Sequence, residues 1–166
     1  MCLKGSMVEL RSFSIENLTE SYLEWLSDPF LMRFSNQRFQ THNIINCRAF
    51  LDSFNRTENL FIAIYHQDTF IGTMTAYRSA FHATADIGIL IGTGLQGKGL
   101  GKDAWTTLMA HLLETGTRKV TGGTLRCNTA MLRIMQGSGM QLDGVRVGQE
   151  LVDGVAQDIL HFAKFA

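Results

Sequence analysis

The stretch ADIGILIGTGLQGKGLGKDAW, residues 85–105, decides how this chain is read. Asp86 to Ile91 is apolar and β-rich. Gly92, Gly94, Gly97, Gly99 and Gly101 then crowd a turn. Beyond it, Leu100, Ala104, Leu108 and Leu112 recur at helical spacing. The pattern predicts a buried strand, a glycine-rich turn and an amphipathic helix. Glycines in such a turn let backbone N–H groups approach an anion, and the helix start adds unpaired donors and the positive end of its dipole.

Three phosphate-binding patterns overlap here. Gly92-Thr93-Gly94-Leu95-Gln96-Gly97 fits the dinucleotide pattern G-x-G-x-x-G, but the next strand ends Leu125-Arg126-Cys127 without the acid that pattern needs. Gly92 to Lys98 fits G-x-x-x-x-G-K, but Gly99 stands where magnesium would need Ser or Thr. Gln96-Gly97-Lys98-Gly99-Leu100-Gly101 gives Q-x-x-G-x-G. Lying between a strand of the type xDIGIxI and a long helix, it resembles the acetyl-CoA pyrophosphate loop of the GNAT superfamily of N-acetyltransferases.

Working outward, Val8 to Phe13 alternates as a first strand. Asn17, with Glu20 as return partner, is expected to cap a helix that ends before Pro29. A second helix is expected from Asn43, with Ile44, Cys47, Leu51 and Phe54 inward. Leu60 to Tyr65 and Thr69 to Tyr77 form a hairpin, and Thr84 to Ile91 follows. After the helix, Gly116 is the expected C-cap. Lys119 to Arg126 is a strand, with Gly122-Gly123 marking a bulge or a close backbone approach. Asn128 caps a short helix to Gln136. The last two strands turn at Asp153-Gly154, residues suited to a type I′ turn. The order β-α-α-β-β-β-α-β-α-β-β predicts an α/β fold with a mixed sheet. It matches the GNAT fold and most resembles the branch with ribosomal-protein, diamine and amino-sugar acetyltransferases.

Length and charge narrow the classes. At 166 residues, one domain is expected over residues 8–166. Residues 1–7, MCLKGSM, read as an expression scar or a disordered N-terminus. No apolar run approaches the ~20 residues of a membrane span. Net charge is zero without a basic run, which argues against nucleic acid. Three scattered cysteines, Cys2, Cys47 and Cys127, point to free thiols in a reducing, cytoplasmic setting. They and the remaining sequence show no metal-ligand spacing.

The resemblance implies acetyl-CoA as cofactor, an amine acceptor and a homodimer at family level. It implies that backbone from Gln96 and Gly97 through Lys98, Gly99 and Leu100 to Gly101 holds the pyrophosphate, with charge from Lys98 and Lys102. It also implies that Leu90, Ile91 and Thr93 splay from a neighbouring strand at a bulge, with the Leu90 N–H facing the thioester, and that Asn128 contacts pantetheine. Asn128 reads equally well as a plain helix cap. The Tyr and Ser that serve as acids in relatives are replaced by Met135 and Met131. Cys127, Ser138 and Tyr65 are left as substitutes. Asp86 is the implied base, and a carboxylate in an apolar strand is costly to bury unpaired. His82 and His42 are alternatives by their chemistry. Phe34 to His42, with Gln37 and Arg38, is the expected acceptor wall. Arg33 or Arg38 suits an anionic acceptor, such as a nucleotide-linked sugar or a carboxylate. The expected acceptor is a small amine, an amino sugar or antibiotic-like compound, or a protein N-terminus. A non-catalytic acyl-CoA-binding module is the alternative.

Overall fold

A computed structural model describes residues Met1–Ala166. Eight strands run β1 Cys2–Lys4, β2 Glu9–Ser12, β3 Leu60–His66, β4 Thr69–Ser79, β5 Thr84–Ile91, β6 Lys119–Leu125, β7 Gln141–Val152 and β8 Val155–Phe165. They form one sheet in the order β1-β2-β3-β4-β5-β6-β8-β7. Only β5 and β6 pair in parallel. Four helices cover the sheet: α1 Glu20–Ser27, α2 Ile44–Asp52, α3 Leu100–Glu114 and α4 Thr129–Gly137.

Strand alternation places a core on each face. On one, Leu10, Ile62, Ile64, Met74 and Ile87 meet Trp105, Leu108 and Leu112 of α3 and Met135 of α4. On the other, Phe13, Phe61 and Ala63 meet Tyr22 and Leu26 of α1 and Cys47 of α2. The rings of Phe13 and Phe61 stack with centroids 4.1 Å apart.

The expected order holds, with local corrections. Thr19, not Asn17, caps α1, its hydroxyl accepting from the Tyr22 N–H. Asn17 is buried and donates to the Tyr65 hydroxyl at 2.6 Å. α2 starts beside Asn43 as expected, and the Asn43 side chain caps it by accepting from the Asn46 N–H. Gly122-Gly123 is no bulge, because the β6–β8 register runs unbroken. It is a close approach: a Cβ on Gly122 would lie 2.7 Å from the Trp105 ring. Asp153 and Gly154 adopt φ of 50° and 78°, as a type I′ turn requires. Two register shifts in the β7–β8 pair were not legible.

The N-terminal residues are the largest departure. They are not left loose: Cys2–Lys4 pairs antiparallel with β2. Asp103, in the first turn of α3, accepts from the N–H groups of Ser6 at 3.1 Å, Met7 at 2.7 Å and Val8 at 3.0 Å. One carboxylate thus fastens the segment beside the glycine turn. Asp103→Ala is expected to lower stability by ~1–3 kcal/mol, since three donors lose their acceptor. Urea unfolding reads the loss, and faster amide exchange at residues 6–8 locates it.

Candidate active site

The site begins where two strands part. β5 and β6 pair only from Thr84↔Lys119 to Asp86↔Thr121. β5 stays with β4 as far as Gly72↔Ile91, and β6 stays with β8 as far as Leu125↔Ile159. Backbone direction in the opening follows from alternation. Gly92 donates to the Ile71 carbonyl at 2.8 Å, on the β4 side. Gly88 and Leu90 share that direction, so Ile89 and Ile91 turn their N–H groups toward the opening. This corrects the expectation for Leu90, whose N–H belongs to the β4 ladder. It also removes the expected bulge, because the β4–β5 register has no shift.

The glycine turn closes the far end of β5. The Gln96 side chain folds back, donating to the carbonyls of Ile91 at 3.0 Å and Gly92 at 2.7 Å and accepting from the Gly94 N–H at 3.1 Å. Gln96 therefore shapes the turn with its side chain. Gly99 caps α3 with φ of 81° and offers no side chain to the first-turn N–H groups. Those donors stay free for an anion. Gly101 matters for space instead: its Cβ would stand 3.3 Å from Ile134 Cδ1 and 3.5 Å from Ile91 Cγ1. Gly92 is packed flat by Trp25, which a Cβ would meet at 2.4 Å.

A cavity of about 1000 Å³ runs from this turn, along the opening, to the face under α1 and α2. Leu90, Ile91, Gln96, Gly97, Gly99, Gly101, Lys102 and Asn128 line it. Leu100 does not; it is buried in the core. Lys98 and Thr93 are exposed and outside the lining, with Thr93 Oγ1 3.5 Å from Asp28 Oδ2. Asn128 is both cap and wall: its Oδ1 accepts from the Met131 N–H at 3.3 Å and its Nδ2 donates to Thr124 Oγ1 at 3.0 Å.

The acceptor wall is partly as expected. Phe34, Gln37 and His42 line the cavity, with His42 Nε2 2.8 Å from the Gln37 carbonyl. Arg38 does not, because its guanidinium donates to the carbonyls of Ser35 at 2.8 Å and Leu151 at 3.1 Å. His82 is also excluded. It sits exposed in the β4–β5 turn, ~20 Å from Ile89 at strand spacing, with its carbonyl bound by Arg118.

Asp86 lies on the α1/α2 face but outside the lining. It is exposed, and its carboxylate accepts from the Thr121 hydroxyl at 2.6 Å. The burial argument for it therefore fails, while Tyr77, its register partner on β4, lines the cavity and keeps Asp86 beside the wall. Met135 is fully buried and Met131 faces the cavity. Cys127, Ser138 and Tyr65 are all outside the lining.

Residues the sequence did not single out complete the site. Thr73, Thr75 and Tyr77 of β4 lie opposite Leu90, Gly88 and Asp86 and line the cavity. Burial, then the Asp86 charge, pushes the Tyr77 phenol up. Burial also raises Tyr22 and Cys47, which line the same lobe. A register-paired strand would have exposed these threonines and Tyr77 in the sequence, but pairing is not readable residue by residue.

A family model for the GNAT acetyltransferase domain matches residues 8–141. No curated protein sequence matches the chain. Several solved structures share its fold. RimL, a ribosomal L7/L12 alpha-N-protein acetyltransferase in complex with coenzyme A, is 15% identical with a TM-score of 0.87, covering 99% of this chain and 98% of its own. MccE, a microcin C7 self-immunity acetyltransferase in complex with acetyl-CoA and AMP, is 19% identical at 0.82, covering 97% and 93%. A spermidine N-acetyltransferase SpeG chimera from Vibrio cholerae and hSSAT is 15% identical at 0.85, covering 96% of each. The matched span runs from the first inner strand through the parted strands, the glycine turn and α4, so the chain belongs to the GNAT acetyltransferase family.

Proposed function

We propose that this N-acetyltransferase moves the acetyl group of acetyl-CoA onto the primary amine of a small molecule. The observation that carries the reading is one continuous cavity joining the glycine turn to a lobe of aromatic and hydroxyl side chains. The lobe holds Tyr22, Phe34, Phe50 and Phe61 with Thr73, Thr75 and Tyr77. Its outer wall is tied to the hairpin tip, because Asn36 donates to Glu150 at 3.0 Å and Arg38 to the Leu151 carbonyl. That tie favours a compact acceptor over a long peptide. No Asp or Glu lines the cavity, which disfavours polycationic amines.

The residues fit the cofactor. Open positive-φ glycines at 94 and 97 leave room beside the turn, and first-turn N–H groups of α3 with Lys102 suit the diphosphate. The free N–H groups of Ile89 and Ile91 suit pantetheine laid as an added strand, with Asn128 beside it. When bound, acetyl-CoA supplies an activated thioester: the amine nitrogen gains the acetyl carbon, the C–S bond breaks with its electron pair on sulfur, and the ammonium proton is lost. The Ile89 N–H is placed to stabilise negative charge on the acetyl oxygen. Asp86, through water, takes the proton. A thiol with a pKa near ~8.5 leaves as thiolate without a dedicated acid, consistent with Met131 and Met135 in the usual acid positions.

Asp86→Asn is expected to retain cofactor binding and lose ~10–100-fold in turnover at the acidic end of the pH range. There the acceptor amine is mostly protonated and needs a base; at high pH the loss shrinks. An unchanged pH–rate profile would move the role to His42. Met131, facing the cavity without a hydroxyl, supports the second reading, an acyl-CoA-binding module without turnover. Thiol release across a panel of small primary amines separates them: turnover on one or more supports transfer, whereas tight cofactor binding with none supports the module.

A further inference from the structure

The cavity's charge is one-sided. Arg33, Lys102 and Arg133 line it, and no carboxylate does. None of the three forms a salt bridge. Lys102 and Arg133 lie on α3 and α4, at the end with the glycine turn, where the cofactor's phosphates are expected. Arg33 lies on the segment between α1 and α2, next to Phe34 of the acceptor lobe. A cation there has no carboxylate partner in the protein.

Arg33 is exposed and packs on two neighbouring rings. The guanidinium carbon sits 3.9 Å from the Phe30 ring centroid and 4.5 Å from that of Phe34. One N–H donates to the Phe30 carbonyl. A guanidinium has five N–H donors, so most stay unused in a fixed planar fork. Arg38, only five residues on, shows the contrast: backbone carbonyls occupy it and it stays out of the cavity. A stacked, unpaired fork lining a carboxylate-free lobe is suited to two parallel bonds from a carboxylate or phosphate.

We propose that the acceptor carries an acidic group, a carboxylate or phosphate, which Arg33 binds while the amine reaches the opening beside Ile89. This rests on the small-amine reading and names its substrate class. Neutral and polycationic amines are then poor acceptors. Arg33 is a specificity residue with no part in proton transfer.

The test uses matched amine pairs: phenylalanine against phenylalaninamide, and glucosamine 6-phosphate against glucosamine. The acidic member of at least one pair is expected to show a kcat/KM about tenfold or more above its neutral partner. Arg33→Gln should erase that preference by raising KM for the acidic member, leaving kcat, the neutral member and the acetyl-CoA Kd unchanged. Arg33→Lys should restore part of it, keeping charge but not the fork. Equal or better use of the neutral members overturns the proposal. So does an Arg33→Gln loss that falls on acetyl-CoA affinity, which would assign the residue to the cofactor. If none of the four amines turns over, calorimetric binding of the same pairs to the enzyme–CoA complex decides the acidic preference: tighter binding of the acidic members supports it and equal binding overturns it.

Discussion

Gly99→Val is expected to weaken acetyl-CoA binding by roughly 10–100-fold, the equivalent of ~1.5–3 kcal/mol of backbone strain and lost donors. Gly99 sits at φ 81°, a region that a β-branched residue rarely enters. Relieving the strain means turning the peptide, and the first-turn N–H groups of α3 then lose their common aim. The same position touches the N-terminal segment: a Cβ would come within 3.2 Å of Met7 Cε. The fold therefore also loses ~1–3 kcal/mol, more than a surface loop alone implies. Gly99→Ala, with a smaller side chain in the same strained geometry, should fall between. Calorimetry with acetyl-CoA and urea unfolding read the two effects apart. Normal cofactor binding by the valine variant would place the diphosphate elsewhere.

With the Ile89 N–H proposed to face the reacting carbonyl, Ile89→Pro should cost ~100–1000-fold in kcat. The substitution is unusual for an inner strand, because proline deletes a ladder hydrogen bond. Here the Ile89 N–H faces the parted strands, so the ladder to β4 loses none of its own donors. Proline is tolerated where the missing N–H points to an unpaired edge. Leu90→Pro is the matched control, since it removes a ladder donor on the β4 side and should damage stability instead. The expected outcome is a catalytic defect for Ile89→Pro with acetyl-CoA binding within about tenfold, and an unfolding defect for Leu90→Pro. The reverse pattern would mean that the opening faces the other way along the strand.

The glycine turn and its flanking elements were legible because glycine content and helical spacing are local signals. β5 from Thr84 to Ile91 and the turn at Asp153-Gly154 fell where the sequence placed them. The site was legible only where it is built from that one stretch. Lys102 lines the cavity and Lys98 does not, which depends on how α3 turns after Gly99. Leu90 and Ile89 differ by one residue, yet alternation sends their N–H groups to opposite sides. Arg33 and Arg38 look interchangeable in the sequence, and only the hairpin carbonyl of Leu151 separates them. Asp103 and Trp25 show the same limit. One fastens backbone nearly a hundred residues away and the other holds Gly92 flat, and neither contact leaves a local trace.

An acyl-CoA site built from the glycine turn and the parted strands should prefer acetyl-CoA to other phosphate-bearing cofactors. Calorimetric titration of the protein with acetyl-CoA, NAD and ATP in parallel tests it most directly. The expected result is one-to-one binding of acetyl-CoA, tighter than either nucleotide and weakened by Gly99→Val. Binding of NAD or ATP as tight as acetyl-CoA, or acetyl-CoA binding that ignores Gly99, would contradict it.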